Sequence, residues 1–326
     1  MTRRPRACCT SVTFDAETLL LATKRRFVQI ASDVAAALSN ERPVVALETT
    51  ILSHGMPYPE NLHTARAVEK VVRDEGSTPA TIAVIGGVVR IGLNDEDLEH
   101  LATATNVLKL SRADLAYAVA TARDGATTVA ATMLCAHLAG ISVFATGGIG
   151  GVHRGASSSF DVSADLEELS RTPIVVVCAG AKAILDLPKT LEVLETKGVP
   201  VVGYGTDDFP AFWSRSSELR APLRMNSPRE IADFYAAQRE LQVSSGILVA
   251  NPVPVSDEIA LTEMSKFIET AVTEAEKQGV TGKAVTPWVL DRIYRDTGGR
   301  SLRANIALVK NNARLAAQIA RAVTQL

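Results

Sequence analysis

The chain has 326 residues, 47% hydrophobic and 21% charged, which is enough for one large α/β domain or two ordinary ones with a sizeable core. A formal net charge of −2 and only 5% aromatic residues exclude the electrostatic footprint and the stacking platforms of a nucleic-acid-binding protein. No apolar run approaches the roughly 18 residues of a membrane helix, so the expected partner is a small molecule rather than a polymer or a bilayer.

In chain order, residues 1–25 form an Arg-rich, acid-poor extension, MTRRPRACCTSVTFDAETLLLATKR. It reads as a disordered tail in a cytoplasmic protein, with a mitochondrial-type presequence as the alternative. From residue 26 to residue 326 the expectation is a single domain. Strand-like runs follow at 43–50, 80–93, 106–111, 141–148, 173–180, 199–206 and 246–253. Several are nearly continuous Val, Ile and Ala, as expected of strands covered on both faces. Helical spacing fills 60–76 and 111–125 and is longest at 301–323, which reads as a peripheral C-terminal element. The alternation predicts a three-layer α/β/α fold with a largely parallel or mixed central sheet. Of four cysteines, Cys8, Cys9, Cys135 and Cys178, the last two sit in apolar surroundings and read as buried free thiols of a reducing compartment.

In such a sheet chemistry gathers at the C-terminal ends of strands. Glu48 ends the first apolar run, where a buried carboxyl would serve as a proton donor and an exposed one would cap a neighbouring helix. FATGGIGGVHRG (144–155) is neither a dinucleotide fingerprint nor a P-loop, since Ala156 stands where the lysine belongs. It reads as a flexible turn or as a phosphate or sugar cradle. His153 and Arg154 are loop charges in that segment. In FDVSADLEEL (160–169), Ser163 reads as a helix N-cap, with Asp165 and Glu167 favoured in the first turn. Asp161 lies two residues before that cap, and its lone carboxylate suits a hard cation that keeps most of its waters, Mg²⁺ or Mn²⁺. Lys182 follows an apolar strand between two alanines. Desolvation favours its neutral amine, a nucleophile able to form a Schiff base, while most such lysines simply reach to water. Lys109 has the same strand-end placement and the same two readings.

Together LETTILSHGMPYPEN, GATTVAATM, VFATGGIGGVHRG, FDVSADL, VVCAGAKAILDLPKTLE, GYGTDDFPAFW and VANPVP resemble the pseudouridine-5′-phosphate glycosidase family, also called indigoidine synthase A-like. The resemblance runs from about Ile30 to the C-terminus. It implies an α/β/α fold, a homotrimer, a divalent metal (commonly Mn²⁺) and the reversible cleavage of pseudouridine 5′-phosphate to uracil and ribose 5-phosphate. By position, Lys182 matches the nucleophile that holds the opened sugar as a Schiff base, Glu48 the proton donor and Asp161 the metal ligand. Lys109, Val129 through its backbone, and Ser163, Ala164 and Asp165 match substrate contacts. Asn305 matches the amide that reads the uracil edge, and His153 faces the same site. LETT in place of the family's more familiar LEST alters no chemical group. Two other readings stand beside this one. Another Schiff-base lyase or aldolase would share Lys182 and the cradle but have no use for Asn305. A non-catalytic ligand sensor would be expected to lose Glu48, Asp161 or Lys182.

Overall fold

The computed structural model describes residues 26–280 and 282–326; the expectations for the extension 1–25, including Cys8 and Cys9, lie outside them. The strands are β1 (Val28–Ile30), β2 (Val44–Leu47), β3 (Thr78–Ile85), β4 (Val88–Ile91), β5 (Leu108–Leu110), β6 (Gly125–Thr127), β7 (Val143–Ala145), β8 (Val175–Cys178), β9 (Val201–Tyr204), β10 (Leu223–Met225) and β11 (Ile247–Ala250). They form one sheet in the order β1-β4-β3-β2-β7-β8-β11-β9-β10, with β6 pairing β3 and β5 pairing β6. From β3 to β10 every neighbour is parallel, while β4 and β6 each run antiparallel to β3. The sheet is therefore mixed with a parallel centre, and helices cover both faces in the expected α/β/α layering.

The central strands read as unbroken apolar runs because both their faces are covered: β2, β7, β8 and β11 are buried at every position. Register stacks like on like. Val45 pairs Val143, Val143 pairs Val175, and Val175 pairs Ile247. Because these strands are parallel, their C-terminal ends emerge together, and Glu48 and Thr146 leave β2 and β7 side by side.

Two expectations change. The run 80–93 is not one strand but a hairpin, β3 and β4, turning at Gly86 and Gly87 with φ of +57° and +77°. A side chain at Gly87 would also meet the Val119 carbonyl at 2.7 Å, so glycine is required there twice over. The C-terminal helix Arg300–Val323 is not peripheral. It lies across β2, β7 and β8 and buries Leu308, Ala313, Ala316 and Ile319 completely. Its buried Asn312 donates to the Thr146 carbonyl at 2.8 Å and accepts from Asn251 at 3.0 Å, so the helix is pinned to the strand ends by satisfied amides.

Cys135 and Cys178 are free and fully buried, and burial pushes both thiols up to about 12, which leaves them unreactive packing groups. Among the described residues no helix is long and apolar enough to cross a membrane.

Candidate active site

A cavity of about 330 Å³ opens at the C-terminal ends of the parallel strands, and all ten residues that the resemblance places in a site line it, whereas Arg154 does not. Glu48 is half-buried just beyond β2, where the hydroxyls of Thr50 and Thr146 donate to its two carboxylate oxygens. It caps no helix with its carboxylate; both acceptors are oriented by neighbouring threonines. Lys182 follows β8. An Ile149–Ala181 bridge and a Lys182 N–H to Ile149 C=O bond of 3.1 Å tie its backbone to the glycine-rich loop. Its neighbours Ala181 and Ala183 are 0% and 6% exposed, so the stem emerges through an apolar collar.

The glycine-rich loop is closed on itself by a Val152–Val162 bridge and by His153 N–H to Asp161 C=O at 3.0 Å. Ser163 is the N-cap of the helix Ala164–Leu169, accepting from Asp165 N–H, and its own N–H donates to the Gly151 carbonyl at 2.9 Å. Asp165 proves to be more than a first-turn charge. It is 5% exposed, and its two oxygens accept from Ala130 N–H at 2.9 Å and Gly150 N–H at 2.7 Å. The carboxylate thereby clamps the loop to the start of the helix Val129–Leu138, a pair of charge-assisted bonds away from bulk water. Contact is close enough that a methyl group at Gly150 would lie 2.2 Å from Ser163 Oγ. Val129 is 1% exposed and opens its helix, so the group it offers a ligand is its backbone N–H, one of the donors every helix start leaves unpaired. Ala164 occupies the equivalent first position in the helix after Ser163.

Asp161 is 41% exposed, with His153 Nδ1 3.9 Å from its Oδ2. Burial lowers the His153 pKa first; Asp161 opposes the shift, and Lys182 and Lys109 add to it. One imidazole thus senses Asp161, Lys182 and the β5 residue Lys109 together. Among the described residues no group of three His, Cys, Asp or Glu converges on one point. The donor set therefore fits a hard, largely hydrated cation on a single carboxylate and does not fit a closed protein cage.

The helix Val285–Asp296 also lines the cavity, through Thr286, Pro287 and Leu290, and Asn305 on the C-terminal helix lies beside Gly147. Asn305 Oδ1 is buried without a hydrogen-bond partner among the described residues, a costly arrangement unless a ligand supplies a donor.

Sequence reasoning did not single out Thr50, Thr146, His54 or Phe212. His54 lies in the segment LETTILSHG with Glu48, the signal available for it. Its Nε2 meets the Val107 carbonyl at 3.1 Å, so that nitrogen carries the proton and the buried Nδ1, without a partner among the described residues, is an acceptor. Burial, then the charge of Lys109, lowers its pKa.

The family described as indigoidine synthase A like protein matches residues 33–322. The chain is 64% identical over 293 residues to a protein of Solibacter usitatus named pseudouridine-5′-phosphate glycosidase, covering 90% of this chain and 98% of that one. A Paracoccus denitrificans protein of the same name is 62% identical over 298 residues, 91% of this chain and 98% of the relative. Among solved structures, the prealnumycin C-glycosynthase in complex with ribulose 5-phosphate superposes with a TM-score of 0.85 at 35% identity, covering 92% of this chain and 98% of that one. An indigoidine synthase A-like protein from Thermotoga maritima gives 0.84 at 35% identity, covering 91% and 97%. The two named relatives are bacterial and lend no support to the mitochondrial alternative for the extension. Matched over nearly its whole described length, the chain belongs to the indigoidine synthase A-like family.

Proposed function

We propose that this protein is a pseudouridine-5′-phosphate glycosidase, reversibly converting pseudouridine 5′-phosphate and water to uracil and ribose 5-phosphate. The observation that carries the reading is the meeting, in one cavity, of Lys182, Glu48 and an amide oxygen on Asn305 that has no partner among the described residues. A C-glycosidic bond has no heteroatom to protonate, so the paired-carboxylate route of ordinary glycosidases is closed. Instead, the Lys182 amine bonds to C1′ as the C1′–O4′ bond breaks and O4′ takes up the proton that the nitrogen sheds, and the nitrogen lone pair can then stabilise an electron-poor C1′. The bond to the uracil carbon then breaks as Glu48 delivers a proton to that carbon; the bond pair stays with uracil, the nitrogen lone pair closes a C1′=N imine, and water hydrolyses the imine to free ribose 5-phosphate and Lys182. Thr50 and Thr146 hold the Glu48 carboxyl in position for that transfer. Lys109, the open N–H of Val129 and the donors at Ser163 and Ala164 receive the 5′-phosphate. Asp165 acts beneath them by holding the loop through Gly150 and the helix through Ala130. Asn305 accepts a hydrogen bond from a uracil N–H.

Asp161, with His153 beside it, is the residue that would hold a divalent cation, Mn²⁺ in the reading preferred here; such an ion would supply positive charge near the phosphate. The assembly that goes with this reading is a homotrimer, measurable as the mass in solution. An aldolase has no partner for Asn305, and a sensor has no need of Lys182 and Glu48 together.

The test is direct. Pseudouridine 5′-phosphate incubated with the protein and Mn²⁺ should release free uracil, and exhaustive chelation should abolish the release until Mn²⁺ is returned. No uracil with Mn²⁺ present would overturn the activity; undiminished release after chelation would overturn the metal alone.

A further inference from the structure

Asn312 has no part in the chemistry above, yet it is a polar side chain at 0% exposure, and its neighbours one helical turn away are Leu308, Val309, Leu315 and Ala316. Leucine would pack at such a position without taking an amide out of water, so the choice of asparagine is explained by what the amide binds. Its Nδ2 donates to the Thr146 carbonyl at 2.8 Å and reaches the Gly147 carbonyl at 3.4 Å, and its Oδ1 accepts from Asn251 at 3.0 Å.

These bonds fall where β7 ends and the glycine-rich loop begins. Thr146 is the first residue past β7, and its N–H still joins the sheet through the Val177 carbonyl at 3.0 Å. Its hydroxyl donates to Glu48, whose other carboxylate oxygen takes the Thr50 hydroxyl. Threonine is β-branched and stiff at χ1, so the direction of its hydroxyl follows its backbone. A bond that fixes the Thr146 peptide therefore fixes the hydroxyl that orients the carboxyl. Asn251, which holds Asn312 in turn, donates its own N–H to the Cys178 carbonyl at 2.7 Å, at the end of the strand that leads to Lys182. A series of hydrogen bonds thus runs from the base of the Lys182 segment through two amides to Glu48.

We propose that Asn312 is a positioning residue for the proton donor: by holding the Thr146 carbonyl it sets the hydroxyl that orients Glu48. The inference rests on the glycosidase reading. Asn312→Leu keeps the size of the side chain and removes the donor. It should lower kcat for uracil release by roughly tenfold, the scale of one hydrogen bond, and leave the KM for pseudouridine 5′-phosphate unchanged. Borohydride trapping of ribose 5-phosphate on Lys182 should proceed at the wild-type rate, because that step needs no proton from Glu48. Thr146→Val removes the hydroxyl itself. In that background Asn312→Leu should cost nothing further in kcat, whereas independent effects would multiply. An unchanged kcat in folded Asn312→Leu would overturn the proposal. So would losses that multiply, or that extend equally to sugar trapping, the mark of a merely structural role. Should Asn312→Leu fail to fold, Asn251→Ala, which releases the Asn312 amide oxygen, decides on the same readouts. Failure of the glycosidase reading is distinguishable, since wild type itself would then release no uracil.

Discussion

On one side of the cavity Glu48 and Lys182 hang from β2 and β8, strands no residue of which is more than 5% exposed, and the loop between Gly147 and Asp165 is tied to them by backbone bonds. On the other side Thr286, Pro287 and Leu290 ride on a short helix whose cross-link to the helix Leu261–Lys277 is Arg292 with Glu274, a partly exposed ion pair. Asn305 stands between these extremes, on a helix pinned by Asn312 and by Trp213 Nε1, which donates to the Ser301 carbonyl at 3.1 Å. The difference follows the work each wall does in the proposed reaction. Bond making at C1′ depends on placement to a fraction of an ångström, which only a packed sheet end supplies. Enclosing a ligand tolerates a looser wall.

The comparison breaks first at Lys182. Lys182→Ala should lose nearly all turnover and, with it, the secondary amine that borohydride fixes on the wild-type peptide, while substrate still binds. A label found on Lys109 instead would refute the assignment. Glu48→Gln keeps both threonine contacts possible but has no proton to give, and should slow kcat by roughly 10²–10⁴-fold. Between the two walls, Asn305→Ala should act on recognition. A lost hydrogen bond to a buried group corresponds to roughly tenfold in kcat/KM, with the Lys182 adduct from ribose 5-phosphate still forming. Comparable damage to adduct formation would erase the distinction between the walls.

Gly150→Ala sharpens the sheet side without touching a reacting group. Its methyl would collide with Ser163 Oγ, and the loop must shift at a cost of about 1–3 kcal/mol, the usual penalty for overpacking. A lower Tm together with a raised KM for the phosphorylated substrate is the expected pair of readings. pH gives a smaller effect. Burial, the leading cause at both His54 and His137, places their folded pKa values below the usual 6.5. The unfolded chain therefore takes up protons first as pH falls, so this part of the stability is complete above about 6.5 and is lost progressively on acidification. His137→Gln should flatten the dependence of Tm on pH over that range. Smallest of all is Arg292→Ala. The side chain pairs with Glu274 and Asp296 near solvent, and screening leaves such pairs little net effect. A large fall in Tm or activity would show the helical wall to be as stiffly held as the sheet.

Much of this was written in the chain. The apolar runs at 173–180 and 246–253 became β8 and β11 because a strand buried on both faces needs no alternation. Ser163 capped the helix it was expected to cap. Other features were hidden. β1, β6 and β10 have three residues each, too few to show a period. The C-terminal helix looked peripheral because an amphipathic stripe says that one face is covered but not by what.

Sequence by itself determined the element types, the strand-end location of the chemistry and the residue kinds at each motif, since these depend on side-chain pattern and local backbone preference. Tertiary structure alone showed which of two carboxylates four residues apart is already occupied. Asp165 is consumed by N–H groups at positions 130 and 150, whereas Asp161 keeps a side chain 41% exposed at the cavity edge. It also decided that His54 and Asn305 would each bury an acceptor without a partner among the described residues, and that Phe212 would be bent into a left-handed turn against Gly148. Burial and hydrogen-bond partnership are properties of what comes near from elsewhere in the chain, so no local pattern encodes them.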